Sequence, residues 1–150
     1  MEEHDYIKYP ELTQKQIDEF GLMSPFPQIT EDFEAEVIKV HDGDTITLRT
    51  TFRDFDFPLR FLDIDAPEMN AGGEVTRDWL KGMILGDVVK VKINKQNRVG
   101  KYGRLLGKVI SRGLDIGEME LALGYAVPFG KKKEGEVPEA NKYFRLKQWF

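Results

Sequence analysis

The sequence predicts an α+β domain: a five-stranded Greek-key β-barrel of the OB type with about three helices. Five short segments are rich in β-branched and apolar residues at strand length, and a helical pattern follows the third of them. A single inserted helix fits a small antiparallel barrel, because a parallel sheet needs a crossover between successive strands. By analogy with other barrels of this type, an oligonucleotide is the first ligand to consider.

The first two strands are predicted at residues 35–40 and 45–48, on either side of the Asp42-Gly43-Asp44 segment. An Asp-Gly step between two β-branched runs is typical of a tight hairpin. We expect Gly43 to supply the positive φ angle of a primed turn.

A polar and aromatic turn at residues 49–57 precedes the third strand, which is predicted from Pro58 to Asp65 and stops beside Pro67. Strict alternation along this strand would place Arg60 and Asp65 on opposite faces. A bulge or an early termination is therefore required if both side chains are to reach one site.

The second half of the chain contains the remaining predicted elements. A helix is expected over residues 74–85, because apolar side chains recur on one face and Gly86 follows as a terminator. That face consists of Val75, Trp79, Leu80, Met83 and Ile84. The other predicted elements are strands at 88–93 and 105–110, a helix at 116–125 with Met119 and Leu123 inward, and a last helix beginning near Pro138.

At 150 residues the chain has the size of one domain. We divide it into an acidic N-terminal extension, residues 1–33, and a barrel domain, residues 34–150. Within the extension, Thr13 and Gln16 have the spacing of a capping box, and we expect its acidic residues to be solvated. The sequence contains no apolar run of membrane-span length and no signal-peptide pattern, so we expect no membrane association and, by default, a cytoplasmic location.

The formal net charge of −4 conceals a strong asymmetry. Residues 1–36 contain ten acidic residues and two lysines, whereas residues 90–112 contain eight lysines and arginines and no acid. Such a basic stripe favours binding to polyanions, although a solvated two-strand face has the same composition. The stripe consists of Lys90, Lys92, Lys95, Arg98, Lys101, Arg104, Lys108 and Arg112.

Composition also limits the kind of metal site. With no cysteine and only two histidines, a thiolate site is excluded and a zinc site is disfavoured. Carboxylates must then hold any metal, which favours a hard cation such as Ca²⁺ or Mg²⁺. Asp44 precedes Ile46 by two residues and Leu48 by four, so alternation along the strand places it on their side. Asp65 ends the third strand, and these two acids are the candidate ligands. Asp42 is the weaker alternative, because Asp is common in turns for local reasons.

Two arginines and a glutamate complete the candidate site. Arg60 and Arg104 carry planar guanidinium groups, each able to donate two hydrogen bonds to one phosphate. Glu68, three residues after Asp65, is placed to orient or deprotonate an attacking water. A metal that polarises phosphorus and two arginines that match the charge on the phosphoryl oxygens together favour phosphodiester hydrolysis.

Three segments resemble the staphylococcal nuclease (thermonuclease) family. They are Asp42-Gly43-Asp44-Thr45, Arg60-Phe61-Leu62-Asp63-Ile64-Asp65-Ala66-Pro67-Glu68 and Lys101-Tyr102-Gly103-Arg104. They occur in the family's order with similar spacing, and the resemblance covers about residues 35–128. It implies the staphylococcal nuclease fold and Ca²⁺-dependent hydrolysis of DNA and RNA. We expect the substrate to be single-stranded or locally unpaired, and the protein to be a monomer.

The resemblance implies a role for each matching residue. Asp44 and Asp65 match the Ca²⁺ ligands, and Ala66 matches a ligand that binds through its backbone carbonyl. Arg60 and Arg104 match the phosphate clamp, and Glu68 matches the proposed general base. Lys101 and Tyr102 match residues that contact a terminal phosphate. Two features depart from the family. The loop after Glu68 is short, and the base-stacking tyrosines have no clear match, so Tyr125 and Phe129 are the nearby candidates for stacking on a base.

Two other functions fit parts of the pattern. A catalytically weak nuclease-like module that binds single-stranded nucleic acid or protein is the main alternative, but such modules lose acids or arginines that are all present here. A phosphatase with an Asp-x-Asp pair is disfavoured, because its acids are expected at the end of a parallel strand within βαβ units.

Overall fold

The computed structural model describes residues 10–13, 16, 26–100 and 103–130. Within them, a short 3₁₀ helix covers Met69–Ala71, and the helix predicted near Pro138 lies outside the described residues. The strands are β1 (Phe33–Asp42), β2 (Thr45–Arg49), β3 (Phe57–Phe61), β4 (Ile64–Asp65), β5 (Val88–Lys92), β6 (Leu105–Ser111), β7 (Leu114–Asp115) and β8 (Val127–Pro128), and the α-helices are α1 (Gly73–Ile84) and α2 (Ile116–Leu123).

Five of the strands close into a barrel in the order β1-β2-β3-β6-β5. All neighbours are antiparallel except β3 and β6, which run parallel and close the barrel. β1 pairs with β5 through its first residues and with β2 through its later ones, and two register shifts interrupt the second pairing. Such shifts bend a strand, which lets one strand serve two walls of a small barrel. The predicted five-stranded OB-type barrel is confirmed.

The interior of the barrel is filled by alternate side chains of its strands. Ile46 and Leu48 are fully buried, which confirms the inward face that was used to place Asp44. Leu80 and Ile84 of α1 are also fully buried, and they pack on the same core cluster. The helix therefore covers part of the barrel and lies close to the β1–β2 turn.

The inward faces of both helices differ from the prediction. In α1, Val75 is 38% exposed, whereas Thr76 is fully buried and donates its hydroxyl to the Tyr125 carbonyl (2.7 Å). In α2, Met119 packs on the core as predicted, but the fully buried side chain of the helix's last turn is Glu120.

The β1–β2 hairpin is confirmed, but the predicted reason for its glycine was wrong. Among the described residues, the glycines with positive φ do not include Gly43. A Cβ at Gly43 would overlap the Cγ2 of Thr76 and lie 2.8 Å from the Cβ of Ala66. Glycine is required here because α1 and the end of β4 pack directly against the turn.

The N-terminal segment contacts the barrel. The capping box is confirmed: the Thr13 amide donates to Gln16 Oε1 (2.9 Å), and the Gln16 amide donates to Thr13 Oγ1 (3.2 Å). Glu11 is fully buried, so the expectation of a solvated acid was wrong at this position. The boundary at residue 33 stays a prediction. Among the helices of the described residues, none combines the length and apolar character needed to cross a membrane.

Candidate active site

Asp44 directly precedes β2, where the turn and the end of β4 hold its carboxylate. Its Oδ1 accepts a hydrogen bond from the Thr45 hydroxyl (3.1 Å), and its Oδ2 accepts one from the backbone amide of Ala66 (3.0 Å). The Asp44 amide in turn donates to Asp42 Oδ1 (3.0 Å). Asp42 thus stabilises the turn, while the carboxylate of Asp44 is directed towards β4.

Arg60 joins the two candidate metal ligands. Its Nη2 donates to Asp65 Oδ1 (2.6 Å) and lies 3.4 Å from Asp44 Oδ2, and its Nη1 donates to the Phe61 carbonyl (3.1 Å). The exposed fractions of the three side chains are 14% for Arg60, 14% for Asp44 and 17% for Asp65. Because they are largely withdrawn from water, their mutual attraction is stronger than that of a surface ion pair.

A break between β3 and β4 lets Arg60 and Asp65 meet. Asp63 has a φ angle of 66°, in the left-handed region, and it separates the two strands. The third strand, predicted to reach Asp65, therefore ends at Phe61, and this early end supplies the irregularity that was required for both side chains to reach one site. Beyond the break, β4 pairs with β8, and the Gly130 amide donates to Asp65 Oδ2 (3.1 Å).

The surroundings of Asp44 both raise and lower the pKa of its carboxyl. Burial raises the pKa of the Asp44 carboxyl, and the neighbouring Asp42 raises it further. The Ala66 amide and the Arg60 guanidinium act in the opposite direction, because both favour the ionised form. A bound cation would act in the same sense as Arg60.

One cavity of about 260 Å³ brings the predicted catalytic and metal-binding residues together. Its wall contains the two candidate metal ligands, the backbone position of Ala66, both arginines of the predicted clamp and the candidate general base. The lining residues are Asp42, Asp44, Thr45, Arg60, Asp65, Ala66, Pro67, Glu68, Met69 and Arg104.

A second cavity, of about 470 Å³, shares Arg60 and Arg104 with the first. Phe129 lies on its wall with 64% of the residue exposed, and the Arg60 guanidinium carbon is 5.4 Å from the centroid of its ring. The remaining wall is formed by Leu62, Asp63, Asn97, Val99, Gly100 and Leu106. The two arginines therefore lie where a charged cavity meets a more apolar one.

One predicted substrate-binding residue, Tyr125, does not line these cavities. The ring of Tyr125 stacks on Trp79, with 5.2 Å between centroids, and Tyr125 lines neither cavity. Lys101 and Tyr102 lie outside the described residues. Of the aromatic candidates for stacking on a base, Phe129 is the one beside the arginines.

The candidate ligands at the first cavity suit a hard divalent cation, because they are carboxylate oxygens and include neither thiolate nor imidazole. In the part of the chain that the structure describes, no three acidic or histidine side chains converge closely enough to hold a metal by themselves. Asp44 and Asp65 supply two ligands. Backbone oxygen, water and a substrate phosphate are needed to complete the shell of about 6–8 oxygens that Ca²⁺ prefers.

Comparison with known proteins identifies the family of this chain. The family model described as "Staphylococcal nuclease homologue" matches residues 58–148 of the chain. The chain belongs to this family. The match includes β3, β4, both α-helices and two of the three motifs, whereas the Asp42–Thr45 turn lies before it.

Several curated relatives carry nuclease names. The chain is 30% identical over 103 residues to an "Uncharacterized endonuclease" of Escherichia coli O157:H7, a match that covers 67% of this chain and 64% of that protein. It is 39% identical over 82 residues to a "Micrococcal nuclease" of Shigella flexneri, covering 52% and 42% of the two chains. It is also 32% identical over 114 residues to "Endonuclease YhcR" of Bacillus subtilis, covering 67% of this chain and 9% of that protein. The aligned region thus spans less than two thirds of each relative's length.

Sequence reasoning missed Glu120, a fully buried acid whose pKa is affected by the charges of Asp44 and Asp42. Within the described residues, neither of its carboxylate oxygens has a hydrogen-bond partner. Burial raises its pKa well above the ordinary value, and the charges of Asp44 and Asp42 raise it further. One signal was available: Glu120 follows the buried Ile116 by four residues, so both share one face of α2.

Proposed function

We propose that this protein is a Ca²⁺-dependent nuclease that hydrolyses phosphodiester bonds of DNA or RNA. The observation that carries the proposal is the single cavity whose wall contains Asp44, Asp65, Arg60, Arg104 and Glu68. The family match and the nuclease names of the relatives support the same activity.

Asp44 and Asp65 are the residues that would hold Ca²⁺, with Ala66 offering a backbone carbonyl. When bound, the cation supplies positive charge that polarises a phosphate oxygen. The chain prepares this position by fixing both carboxylates: Asp44 through Thr45 and the Ala66 amide, and Asp65 through the Gly130 amide. Ligands that are already oriented lose less conformational freedom on binding.

Arg60 and Arg104 form the proposed phosphate clamp. Negative charge builds on the phosphoryl oxygens as a nucleophile approaches, and fixed guanidinium groups stabilise that charge without reorganising. Arg60 is held in place by Asp65 and by the Phe61 carbonyl. Arg104 reaches the same cavity from the position directly before β6, so the two arginines approach a phosphate from different segments of the chain.

Glu68 is the proposed general base. It lies exposed on the cavity wall, directly before the 3₁₀ helix, where water has access. In the proposed step Glu68 takes a proton from water as the water oxygen bonds to phosphorus and the phosphorus–O5′ bond breaks. The 5′ oxygen leaves and is protonated by solvent.

The second cavity is the proposed place for a nucleoside beside the cleaved phosphate. A ring such as Phe129 stacks on any base, which supports binding without strong sequence preference. A base can reach such a ring only when it is unpaired, so we propose single-stranded or locally unpaired substrates. Contacts of Lys101 and Tyr102 with a terminal phosphate remain part of the proposal.

The proposal is tested by incubating the protein with plasmid and with single-stranded DNA, in Ca²⁺ or in a chelator. We expect cleavage in Ca²⁺ and none in the chelator. A module that only binds nucleic acid would retard the single strand in both conditions without cutting it, and that result would reject the enzyme.

An arginine pair gives the matched control. Arg104→Ala should lower kcat by about 10²-fold or more, the typical cost of removing one fixed donor to a developing oxyanion. Arg112→Ala removes the same charge from the same basic stripe, but Arg112 is largely exposed, pairs with Asp87 at 3.4 Å and lies away from the cavity. Its kcat should stay within a factor of about two of the starting protein. Equal losses in both variants would count against the clamp.

A further inference from the structure

A buried carboxylate in the N-terminal segment lies at the centre of contacts that reach the candidate site. Glu11 is fully buried, and it forms ion pairs with Arg53 of the β2–β3 loop and with Arg98 of the β5–β6 loop. Its Oε2 lies 2.9 Å from Arg98 Nη1 and also accepts the Ile29 amide at 2.9 Å. Residues 10–13, 26–29 and two loops of the barrel thus meet at one side chain.

Arg98 fastens the β5–β6 loop to this segment by several bonds. Besides Glu11, its Nη1 donates to the Ile29 carbonyl (2.7 Å), and its Nη2 lies 3.4 Å from the Leu12 carbonyl. Its neighbours in the chain face elsewhere: Asn97, Val99 and Gly100 line the second cavity together with Arg60 and Arg104. One residue therefore ties the loop to the N-terminal segment while the adjacent residues border the site.

Backbone hydrogen bonds carry this attachment to Arg104. The Leu106 amide donates to the Arg98 carbonyl (2.9 Å), and a β-bridge joins Val99 to Leu105. The Gly100 amide donates to the Arg104 carbonyl (2.8 Å). The main chain at Arg104 and at the two residues after it is thus bonded to Arg98, Val99 and Gly100, so a displacement of Arg98 would move Arg104.

Glu11, Arg53 and Arg98 form a charged cluster, which we call the Glu11 cluster. A contribution to stability alone explains this cluster poorly. Replacing buried ion pairs by apolar side chains of similar size is often neutral or stabilising, so a buried pair is weak evidence for stabilisation. Moreover, Nε and Nη1 of Arg53 are buried and have no hydrogen-bond partner among the described residues. What the cluster does supply is a fixed position of the N-terminal segment relative to two loops of the barrel that are distant from it in sequence.

We propose that Glu11 is a positioning residue: by holding Arg98, it fixes the β5–β6 loop so that Arg104 points into the site. The proposal rests on the proposed nuclease function for its kinetic consequence. A transition-state contact is sensitive to a displacement of about 1 Å, which can cost about 10²-fold in rate. The N-terminal segment, which lies before the family match at 58–148, thereby becomes part of the catalytic unit.

Two variants of the same cluster separate positioning from stability. Arg98→Met and Arg53→Met each remove one guanidinium group from Glu11, together with a bond to a backbone carbonyl of the N-terminal segment. Only Arg98 belongs to the loop that carries Arg104. Amide hydrogen exchange over residues 97–106 is measured in both variants at a temperature where both are folded.

We expect faster exchange of this loop in Arg98→Met, relative to the starting protein, and unchanged exchange in Arg53→Met. In cleavage assays, Arg98→Met should lower kcat about 10-fold or more with little change in KM, while Arg53→Met should keep its kcat. Arg98→Lys should recover part of the loss. In an Arg104→Ala background, Arg98→Met should cause little further loss, because Arg98 acts through Arg104.

The outcomes that overturn the proposal are equally defined. Unchanged exchange over residues 97–106 in Arg98→Met would reject it whether or not the protein is a nuclease. Equal loss of kcat in both Met variants, or full additivity of Arg98→Met with Arg104→Ala, would reduce the cluster to a general structural role. Absence of cleavage by the starting protein would reject the proposed function, while the exchange data would still decide whether the loop is held.

Discussion

Asp42 and Asp44 are two residues apart in one turn, but their surroundings differ. Asp44 is bonded to Thr45, Ala66 and Arg60, so its carboxylate lies against the segment that carries the second candidate ligand. Asp42 accepts the Asp44 amide, which is a bond within the turn. Both residues line the cavity. Because the Asp44 carboxylate lies against the end of β4 and Asp42 holds the Asp44 amide, the geometry favours Asp44 as a ligand and Asp42 as the residue that orients it.

The two roles predict different losses of Ca²⁺ affinity. Asp44→Asn removes a charged ligand and should weaken binding by more than about 100-fold, whereas Asp42→Asn should weaken it by about 10-fold, the lower range for an orienting residue. Isothermal titration with Ca²⁺ measures both. Unchanged affinity in Asp44→Asn would reassign the ligand, and a larger loss in Asp42→Asn would exchange the two roles.

Glu120 contributes a pH-dependent term to stability. Its pKa is raised in the folded state by burial first, and then by Asp44 and Asp42, so the folded protein holds a proton that the unfolded chain releases. Stability from this group is therefore complete below the unfolded pKa of about 4.3 and is lost as pH rises towards the folded pKa.

Glu120→Gln keeps the shape and removes the titration, so its stability relative to the starting protein should increase with pH. We expect similar free energies of unfolding near pH 4 and a higher free energy of unfolding for the variant than for the starting protein at pH 8. Urea unfolding at several pH values measures this difference. Glu118→Gln, on the exposed side of α2, is the control and should show no such trend. A pH-independent difference for Glu120→Gln would refute the assignment.

The position of the site residues depends on how closely α1 packs on the β1–β2 turn. The close approach of Thr76 and Ala66 to Gly43 leaves no room for a side chain. Thr76 is also bonded to the Tyr125 carbonyl, so one threonine links the turn, α1 and the segment after α2. Through these contacts, the position of Asp44 is set by packing as well as by the hairpin.

Gly43→Ala should therefore destabilise the protein and weaken Ca²⁺ binding together. Overpacking of this kind costs about 1–3 kcal/mol, and each kcal/mol lowers Tm by about 2–4 °C in a protein of this size. Adding Thr76→Ser removes the Cγ2 that would be overlapped and should recover part of both losses. The control is Gly82→Ala, also on α1, where nothing lies within 4 Å of an added Cβ, and alanine there should stabilise the helix slightly. Full stability of Gly43→Ala would contradict the close packing.

The charges of the basic stripe, residues 90–112, fall into two groups: some have acidic partners or neighbours, and others lie beside another positive charge. Arg98 is bound to Glu11, Arg112 pairs with Asp87, and Lys90 lies opposite Glu34 on β1. Lys92 and Lys108 lie directly opposite each other on β5 and β6, and both are exposed. Like charges in this arrangement repel, and a bound polyanion would relieve that repulsion.

This division predicts which charges contribute to nucleic-acid binding. In a chelator, where the proposed Ca²⁺-dependent cleavage is not expected, the logarithm of single-strand affinity should fall linearly with the logarithm of salt concentration, with a slope of about −0.7 per phosphate contacted. Lys92→Gln with Lys108→Gln should make the slope shallower by up to about 1.4. Arg112→Ala should change it little. A slope that responds equally to all of these changes would indicate binding by net charge rather than by this surface.

Local sequence patterns were enough to predict the five-stranded barrel and to select the candidate site residues, whose roles stay predictions. Strand periodicity reports which side chains face inward, so Ile46 and Leu48 were placed correctly, and the motifs around Asp44, Arg60 and Arg104 are local patterns of fixed spacing. The hairpin between β1 and β2 and the need for a break between Arg60 and Asp65 were predictable for the same reason, although the third strand ends at Phe61 and not at Asp65. Each depends on residues that are close together in the chain.

The segments that cover these residues are distant in sequence, and their identity is known from the folded chain alone. Glu11 and Arg98 are 87 positions apart, and nothing in their local patterns indicates that they meet. Gly43 fits its turn because of Thr76 and Ala66, and Glu120 is buried because of how α2 packs on the barrel. The physical reason is common to all three: periodicity gives the face on which a residue lies, whereas its charge state, space and partners are set by elements that only folding brings alongside.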